Sequence, residues 1–429
     1  MAFARKTAHT SPKLREREAI RFLLRNRYVK PVPRIHPSPP WQCNLPPTRA
    51  FPAPKPFTQP RGSPTRRAFT CPNCQRLNHF EVRVCPGCQA TLGYDPQIDA
   101  FRFLADDNTQ WRDARGNTAN VVTCQNNNDH QICNWLTRAD DIEPLCRACR
   151  HNHMIPDLTV EGVPERWAKV EAAKRRLFHT LLKLQLPLET KAQERPGVQG
   201  LAFDFLYDPA AEARGHAEVL TGHDEGLITL NLIEADDAER ERIRHQMGEP
   251  YRTLLGHFRH EVGHHYWSRL IEPDPYETQA CRNVFGDERI DYAAALKNHY
   301  SDSPDHVWTE DYVSAYATSH PWEDFAETFA HYLHIVDLLA TARGFDLSLT
   351  AFPQEGADGE VDLAFNPYTA ATADLISDMV PLSFAMNALN RSMGQPDLYP
   401  FNLTDPVIAK LDYINRLVAR ARVSGFAPA

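Results

Sequence analysis

Residues 251–270 read YRTLLGHFRHEVGHHYWSRL and contain the run His260-Glu261-Val262-Gly263-His264. Leu254, Leu255, Phe258, Val262 and Tyr266 recur at helical spacing, which predicts a helix over about Tyr251–Leu270 with one face set into a core. Histidines four residues apart on a helix share a face one turn apart, so both imidazoles can reach a single zinc ion. Glu261 then projects beside the metal, where it can take a proton from a zinc-bound water. Gly263 leaves room for the close approach of a neighbouring element. His265 points about 100° away and is not expected to share the metal. The ordinary alternative is two partly exposed histidines on a surface helix, and the apolar pattern around them argues against it.

Two histidines need a third ligand. The stretch Trp322-Glu323-Asp324-Phe325-Ala326-Glu327 offers Glu323 and Glu327 one turn apart on a predicted helix, Trp322–Ala342. One carboxylate could coordinate zinc while the other accepts a hydrogen bond from a ligand histidine. That pattern favours Glu323 as ligand and Glu327 as the group behind it. The rival source is Gly286-Asp287-Glu288-Arg289-Ile290-Asp291-Tyr292, where Asp287 or Glu288 could ligate or could simply pair with Arg289. His331 and His334 follow on the same helix and are expected to be surface or hydrogen-bonded histidines.

The cysteines form a second pattern. Eight of ten lie between Cys71 and Cys149, with only Cys43 and Cys281 outside. Cys71-Pro-Asn-Cys74 and Cys85-Pro-Gly-Cys88 are two turns of one form, which together place four thiolates around a tetrahedral zinc. Cys124, Cys133, Cys146 and Cys149 form a looser second set, with His130, His151 and His153 as substitutes nearby. Closed four-ligand sites leave no position for substrate, so both zincs are expected to be structural, holding a region poor in aliphatic residues. In a chain without an export signal, such clusters mean metal thiolates rather than disulfides, and a cytoplasmic location is expected.

The net charge of −8 divides unevenly. Residues 1–70 carry 15 Lys or Arg against two acids, so the remainder stands at −21. Residues 31–64 hold 12 of the 34 prolines and read as an extended linker, after a short basic helix within 1–30. A basic arm on an acidic body allows nucleic-acid binding without favouring it over a solvated tail. No apolar run approaches the roughly 20 residues of a membrane helix. Beyond the cysteines, a helix from about Val163, with Trp167, Val170, Leu177, Leu181 and Leu184 on one stripe, is expected to end at Pro187. Strands follow at Leu201–Tyr207 and Leu227–Ile233, the latter an edge able to pair with an extended peptide. Further helices are expected at Asp237–Met247, Arg282–Lys297, Ala373–Leu389 and Pro406–Ala421.

Several of these stretches together resemble the zinc-binding metallopeptidases that carry an N-terminal zinc-ribbon domain. They are the two Cys-Pro-x-Cys turns, Leu92–Pro96, Cys133-Asn134-Trp135, Pro156–Leu158, His260–Trp267, Gly286–Tyr292 and Asn390–Gly394. The likeness covers about residues 69–425, while the basic first 68 depart from it. Tyr316–Glu327 also resembles the gluzincin arrangement of anthrax-lethal-factor-like peptidases, with a tyrosine seven residues before the ligand glutamate and a second glutamate four after it. That resemblance supports Glu323 as ligand and implies that Tyr316 donates a hydrogen bond to the oxyanion, with Tyr312 as runner-up.

The expected protein is therefore α+β. A basic, Pro-rich extension (1–68) and a zinc-ribbon region with two four-cysteine sites (69–158) precede a zincin-like domain (159–429), mostly helical with a small sheet. The expected function is peptide hydrolysis by a Glu261-activated zinc-bound water, with one catalytic zinc on His260, His264 and Glu323. Two alternatives stand beside it: a non-catalytic zinc-ribbon protein that binds nucleic acid or a protein partner, and a hydrolase of a non-protein amide.

Overall fold

A computed structural model describes residues 69–105, 110–207, 221–247, 249–301, 308–349 and 361–422. The basic helix expected within residues 1–30, the proline-rich stretch and Cys43 lie outside them.

The chain begins with β1 (Phe69–Thr70) and β2 (Leu77–Asn78), an antiparallel pair that flanks the first Cys-Pro-x-Cys turn. The second turn leads into an antiparallel meander of β3 (Leu92–Asp95), β4 (Ala100–Leu104), β5 (Trp111–Arg112) and β6 (Thr118–Ala119). A further pair, β7 (Val121–Thr123) and β8 (Leu136–Arg138), encloses the short helix α1 (Gln125–His130). The scarcity of aliphatic residues is met by aromatic packing. Phe69, Phe80, Tyr94 and Trp135 cluster with ring centroids 5.0–6.3 Å apart, a range in which edge and tilted contacts are favourable.

β9 (Asn152–Met154) carries the chain out of this region into the main sheet. The next element, α2 (Val163–Lys183), has Pro164 in its first turn and buries the whole expected stripe. It stops four residues before Pro187. Gln185 takes a left-handed conformation, Leu186 N bonds Leu181 O and Gln185 N bonds Leu182 O, so a Schellman turn ends the helix and the proline only follows it.

The main sheet runs β11 (Gly222–Asp224), β12 (Leu227–Asn231), β10 (Ala202–Leu206), β9. β9, β10 and β12 are parallel; β11 turns back antiparallel through Glu225 and Gly226, both at positive φ, as a two-residue hairpin requires. The strand expected at the edge, β12, is therefore internal, and the much shorter β11 lies outside it.

After α3 (Asp237–Met247) comes the histidine-bearing α4 (Leu254–Leu270), whose N-cap Thr253 accepts from Gly256 N. The helix expected over Arg282–Lys297 is two, α5 (Pro275–Phe285) and α6 (Tyr292–Ser301), because Gly286 sits at φ +98° between them. α7 (Pro321–Gly344) is capped by His320, whose Nδ1 accepts from Trp322 N. The small pair β13 (Ser348–Leu349) and β14 (Val361–Asp362), then α8 (Thr372–Ser392) and α9 (Asp405–Ala421), complete the described chain. None of the described helices is long and apolar enough to cross a membrane.

α4 and α7 cross at Gly263. A Cβ there would lie 3.0 Å from Ala326 Cα and 3.1 Å from its carbonyl oxygen, so the glycine sets how near the backbones come. Polar bonds fix the same register: Arg259 pairs with Asp337, and Asp337 accepts from Thr180 of α2 at 2.7 Å. α2 is tied in turn to the cysteine-rich region, since Asp99 accepts from His179 and Lys183, both at 2.8 Å.

Gly263→Val should force the crossing apart, costing about 1–3 kcal/mol as overpacking does, and should lower any metal content owed to His260 and His264; thermal unfolding and metal analysis check both. Asp99→Asn should destabilise by about 1.5–3 kcal/mol at neutral pH. Burial pushes the Asp99 carboxyl up, but His179 and Lys183 overcome that and hold it below the usual range. Its contribution is thus present above ordinary aspartate pKa values and lost as pH falls through the depressed one. Denaturant titrations should show the difference constant from about pH 5 upward and shrinking below about pH 4.

Candidate metal centre

α4 presents His260 and His264 toward α7, where Glu323 meets them. The two Nε2 atoms are 3.1 Å apart, and Glu323 Oε2 lies 3.0 Å from His260 Nε2 and 3.3 Å from His264 Nε2. Donors bound tetrahedrally to zinc at about 2.0–2.1 Å would be roughly 3.3 Å from one another. The three atoms therefore form a triangle of the size that one ion requires. Glu323 Oε2 is also buried without a hydrogen-bond donor, a costly state that a cation would relieve.

The surroundings favour positive charge. Glu327 Oε1 is 2.6 Å from His260 Nδ1, and its Oε2 accepts from Ser314 Oγ at 2.6 Å. Burial works against charge on His260, yet Glu323 and Glu327 raise its pKa well above the usual imidazole value. Burial likewise pushes Glu327 up, while His260 and Ser314 bring it down to about 2. His264 has no such acceptor at its Nδ1; its ring is held by Trp322, with centroids 3.8 Å apart.

Glu261 meets another imidazole of the same helix, His257, which was not among the expected site residues. His257 Nε2 is 3.2 Å from Glu261 Oε1, and His257 Nδ1 is 2.7 Å from Glu234 Oε2. Burial disfavours the charged form of His257, but Glu234 and Glu261 raise its pKa to about 9. Burial also acts to raise Glu261, whereas the hydrogen bond and charge of His257 hold it below its usual value. A signal for it lies in the sequence: His257 stands four residues before Glu261, the one-turn spacing that links His260 and His264.

The other expected residues separate cleanly. The Tyr316 ring lies 5.8 Å from that of His260, whereas Tyr312 sits under the Lys410 ammonium at 4.2 Å. Asp287 pairs with Arg289 at 2.6 Å and Glu288 with Arg282 at 2.5 Å, so neither reaches the histidines. His265 is buried outside the triangle; His331 bonds the Tyr399 hydroxyl at 2.9 Å, and His334 bonds Arg259. Tyr292, the last residue of the rival stretch, instead donates to Glu323 Oε1 at 2.7 Å.

The cysteines gather into two groups of four, Cys71–Cys74–Cys85–Cys88 and Cys124–Cys133–Cys146–Cys149. In the first, Cys71 and Cys88 are 3.7 Å apart and Cys74 and Cys85 3.6 Å; in the second, Cys133 is 3.7 Å from Cys146 and 3.8 Å from Cys149. Zinc–thiolate bonds of about 2.3 Å at tetrahedral angles give roughly 3.8 Å, so both groups could coordinate a metal. The three substitute histidines are engaged elsewhere: His151 with Leu201 O, His153 with Asp204, and His130 against Trp167. Cys281 is buried and apart from both groups.

Residues 164–417 match the family described as "Putative zinc-binding metallo-peptidase", and residues 68–160 match a zinc-ribbon domain. Uncharacterised proteins of Mycobacterium bovis and Mycobacterium tuberculosis are each 40% identical over 353 residues, which span 82% of this chain and 95% of theirs. No solved structure matches.

The three donor groups among the described residues predict about three zinc ions per chain. Metal analysis of a His260→Ala, His264→Ala double variant should return two; an unchanged count would remove the histidine centre.

Proposed function

The chain belongs to the zinc-binding metallo-peptidase family, and from that premise we propose that it hydrolyses peptide bonds with His260, His264 and Glu323 as the ligands of a catalytic zinc. The triangle of His260 Nε2, His264 Nε2 and Glu323 Oε2 carries this reading. Three protein ligands that leave one position for water or substrate are the donor set of hydrolytic zinc, in contrast to the closed four-thiolate sets, which we read as structural. Zinc held there would supply Lewis acidity, easing deprotonation of water and polarising a substrate carbonyl.

Each side chain then has a task. Glu261, kept ionised by His257, accepts a proton from the attacking water. It returns that proton to the leaving nitrogen as the carbon–nitrogen bond breaks. Glu327 fixes the orientation of the His260 ring through Nδ1. Tyr316, beside His260, donates to the oxyanion that develops on the carbonyl carbon's oxygen. β11, which pairs with β12 on one side, offers an extended peptide a strand to lie against, and His223 on it stacks 6.3 Å from the His264 ring.

We read residues 69–158 as the zinc-ribbon domain and 159–429 as a gluzincin-like domain that shares β9 with it. Clustered thiols that serve as metal ligands suit a reducing, cytoplasmic setting. The basic residues before Phe69 are read as an appendage, with nucleic acid as its less favoured partner.

The test is hydrolysis itself. The purified full chain, incubated with a mixture of unfolded proteins, should generate new N-termini detectable by mass spectrometry. Glu261→Gln should lower that rate by about 10²–10⁴-fold, as loss of a general base does, with zinc content unchanged. Tyr316→Phe should cost about 10²–10³-fold if it serves the oxyanion. Wild-type cleavage matched by Glu261→Gln would refute the mechanism, and equal inactivity of both across broad peptide mixtures would turn the reading toward a binding protein.

A further inference from the structure

The loop from Gly286 to Tyr292 delivers a phenol to the metal centre where it seemed to offer a carboxylate. Of its acids, Glu288 pairs with Arg282, Asp287 with Arg289, and Asp291 accepts from Ala294 N at the start of α6. Tyr292, at the start of α6, is buried, and its hydroxyl donates to Glu323 Oε1 at 2.7 Å. The other oxygen of that carboxylate, Oε2, is the one facing His260 Nε2 and His264 Nε2.

We propose that Tyr292 is a positioning residue that holds Glu323 to single-oxygen ligation and so keeps one coordination position of the centre available to water or substrate. This rests on the reading of His260, His264 and Glu323 as zinc ligands. A carboxylate can bind a cation through one oxygen or both. Were Oε1 to swing in beside Oε2, the three-residue set would supply four donor atoms and resemble a closed site. The phenol opposes that swing by occupying Oε1 with a charge-assisted hydrogen bond in an interior where water cannot replace it.

The loop is built to hold the phenol still. Gly286, at φ +98°, lies so close to the first turn of α7 that a Cβ on it would be 3.3 Å from Pro321 Cγ. The Tyr292 ring packs 5.1 Å from His320, the cap of α7, and 6.0 Å from Trp322. Trp322 in turn covers the His264 ring at 3.8 Å. One short segment thus braces two of the three ligand groups, and a hydroxyl is the only part of Tyr292 that touches the carboxylate chemically.

The full chain carrying Tyr292→Phe keeps the ring and removes only that hydroxyl. Zinc affinity of the histidine centre is measured by competition with a chromophoric chelator. Cobalt(II) is then introduced into that centre alone, after a mild chelator has stripped it while the four-cysteine sites keep zinc, and its visible absorption is recorded. The expected result is cooperative thermal unfolding at a modestly lower temperature, since one buried hydrogen bond is lost, a 10–100-fold loss of zinc affinity, and weaker cobalt absorption, because intensity falls as coordination number rises above four. Wild-type affinity with a wild-type cobalt spectrum would overturn the proposal while leaving the zinc site intact. If the His260→Ala, His264→Ala variant binds as much metal as wild type, the zinc reading itself fails and the proposal fails with it.

Discussion

The approach of α4 to α7 at Gly263 is the constraint on which the rest depends. Two helices with ordinary side chains at their contact stand 8–10 Å apart, and the metal-facing groups on both are short. His260 and His264 extend from one helix, and Glu323 and Glu327 from the other, on either side of the Gly263–Ala326 contact. A carboxylate oxygen within 3.3 Å of both imidazoles, with a second carboxylate 2.6 Å from the far side of one ring, needs backbones held at that distance. The glycine sets the distance, and the Arg259–Asp337 pair fixes the register by preventing one helix from sliding a turn along the other.

That geometry gathers negative charge in a poorly hydrated place. Glu323, Glu327, Glu261 and Glu234 are each buried or nearly so, and unpaired carboxylates there would be costly. The chain compensates with imidazoles on alternate sides: His260 between Glu323 and Glu327, and His257 between Glu234 and Glu261. The two arrays differ in what they do. The first points its nitrogens at a common centre and suits a cation; the second has no such centre and orients one carboxylate by hydrogen bonding. Glu323 and Glu261 are thus held by the same residue type in the same one-turn rhythm, by imidazoles on one face of a single helix.

The legibility of this arrangement in the sequence follows the range of the interactions. Helical periodicity and four-residue spacing are local, so α4, the cysteine turns and the Glu323–Glu327 pair could be read directly. Gly286 is also local, yet the break it makes between α5 and α6 is masked by Asp287-Glu288-Arg289, a charged run that equally suits the solvated face of a continuous helix. Strand order is not local. β12 looked like an edge because its partner β11 has three residues and little β character, and nothing nearby in sequence reports a two-residue return through Glu225 and Gly226. Tyr292 and Ser314 were out of reach for the same reason: each meets a carboxylate more than ten residues away through folds of the chain that no periodicity encodes.

The cysteine-rich region is less separable from the helical body than its composition suggests, and charge explains why. Four thiolates around a divalent ion leave a net charge of −2, which in an interior must be answered by cations. The second group of cysteines is fully buried, and Arg175 of α2 lies beside it. Burial works against charge on that guanidinium, but the thiols of Cys133, Cys149 and Cys146 together with Glu171 outweigh it. Lys174 pairs with Glu171 at 2.7 Å, and Glu171 reaches Cys149 at 3.8 Å. One turn and a half further along the same helix, Thr180 bonds Asp337, the partner of Arg259 on α4. A single helix therefore carries the counter-charge of the buried four-cysteine group at its middle and a register-setting contact of the histidine helix in its last turn. Loss of metal from that group would leave Arg175 without its main counter-charge inside the core that positions the histidines, which makes the ribbon a structural part of the body that carries them.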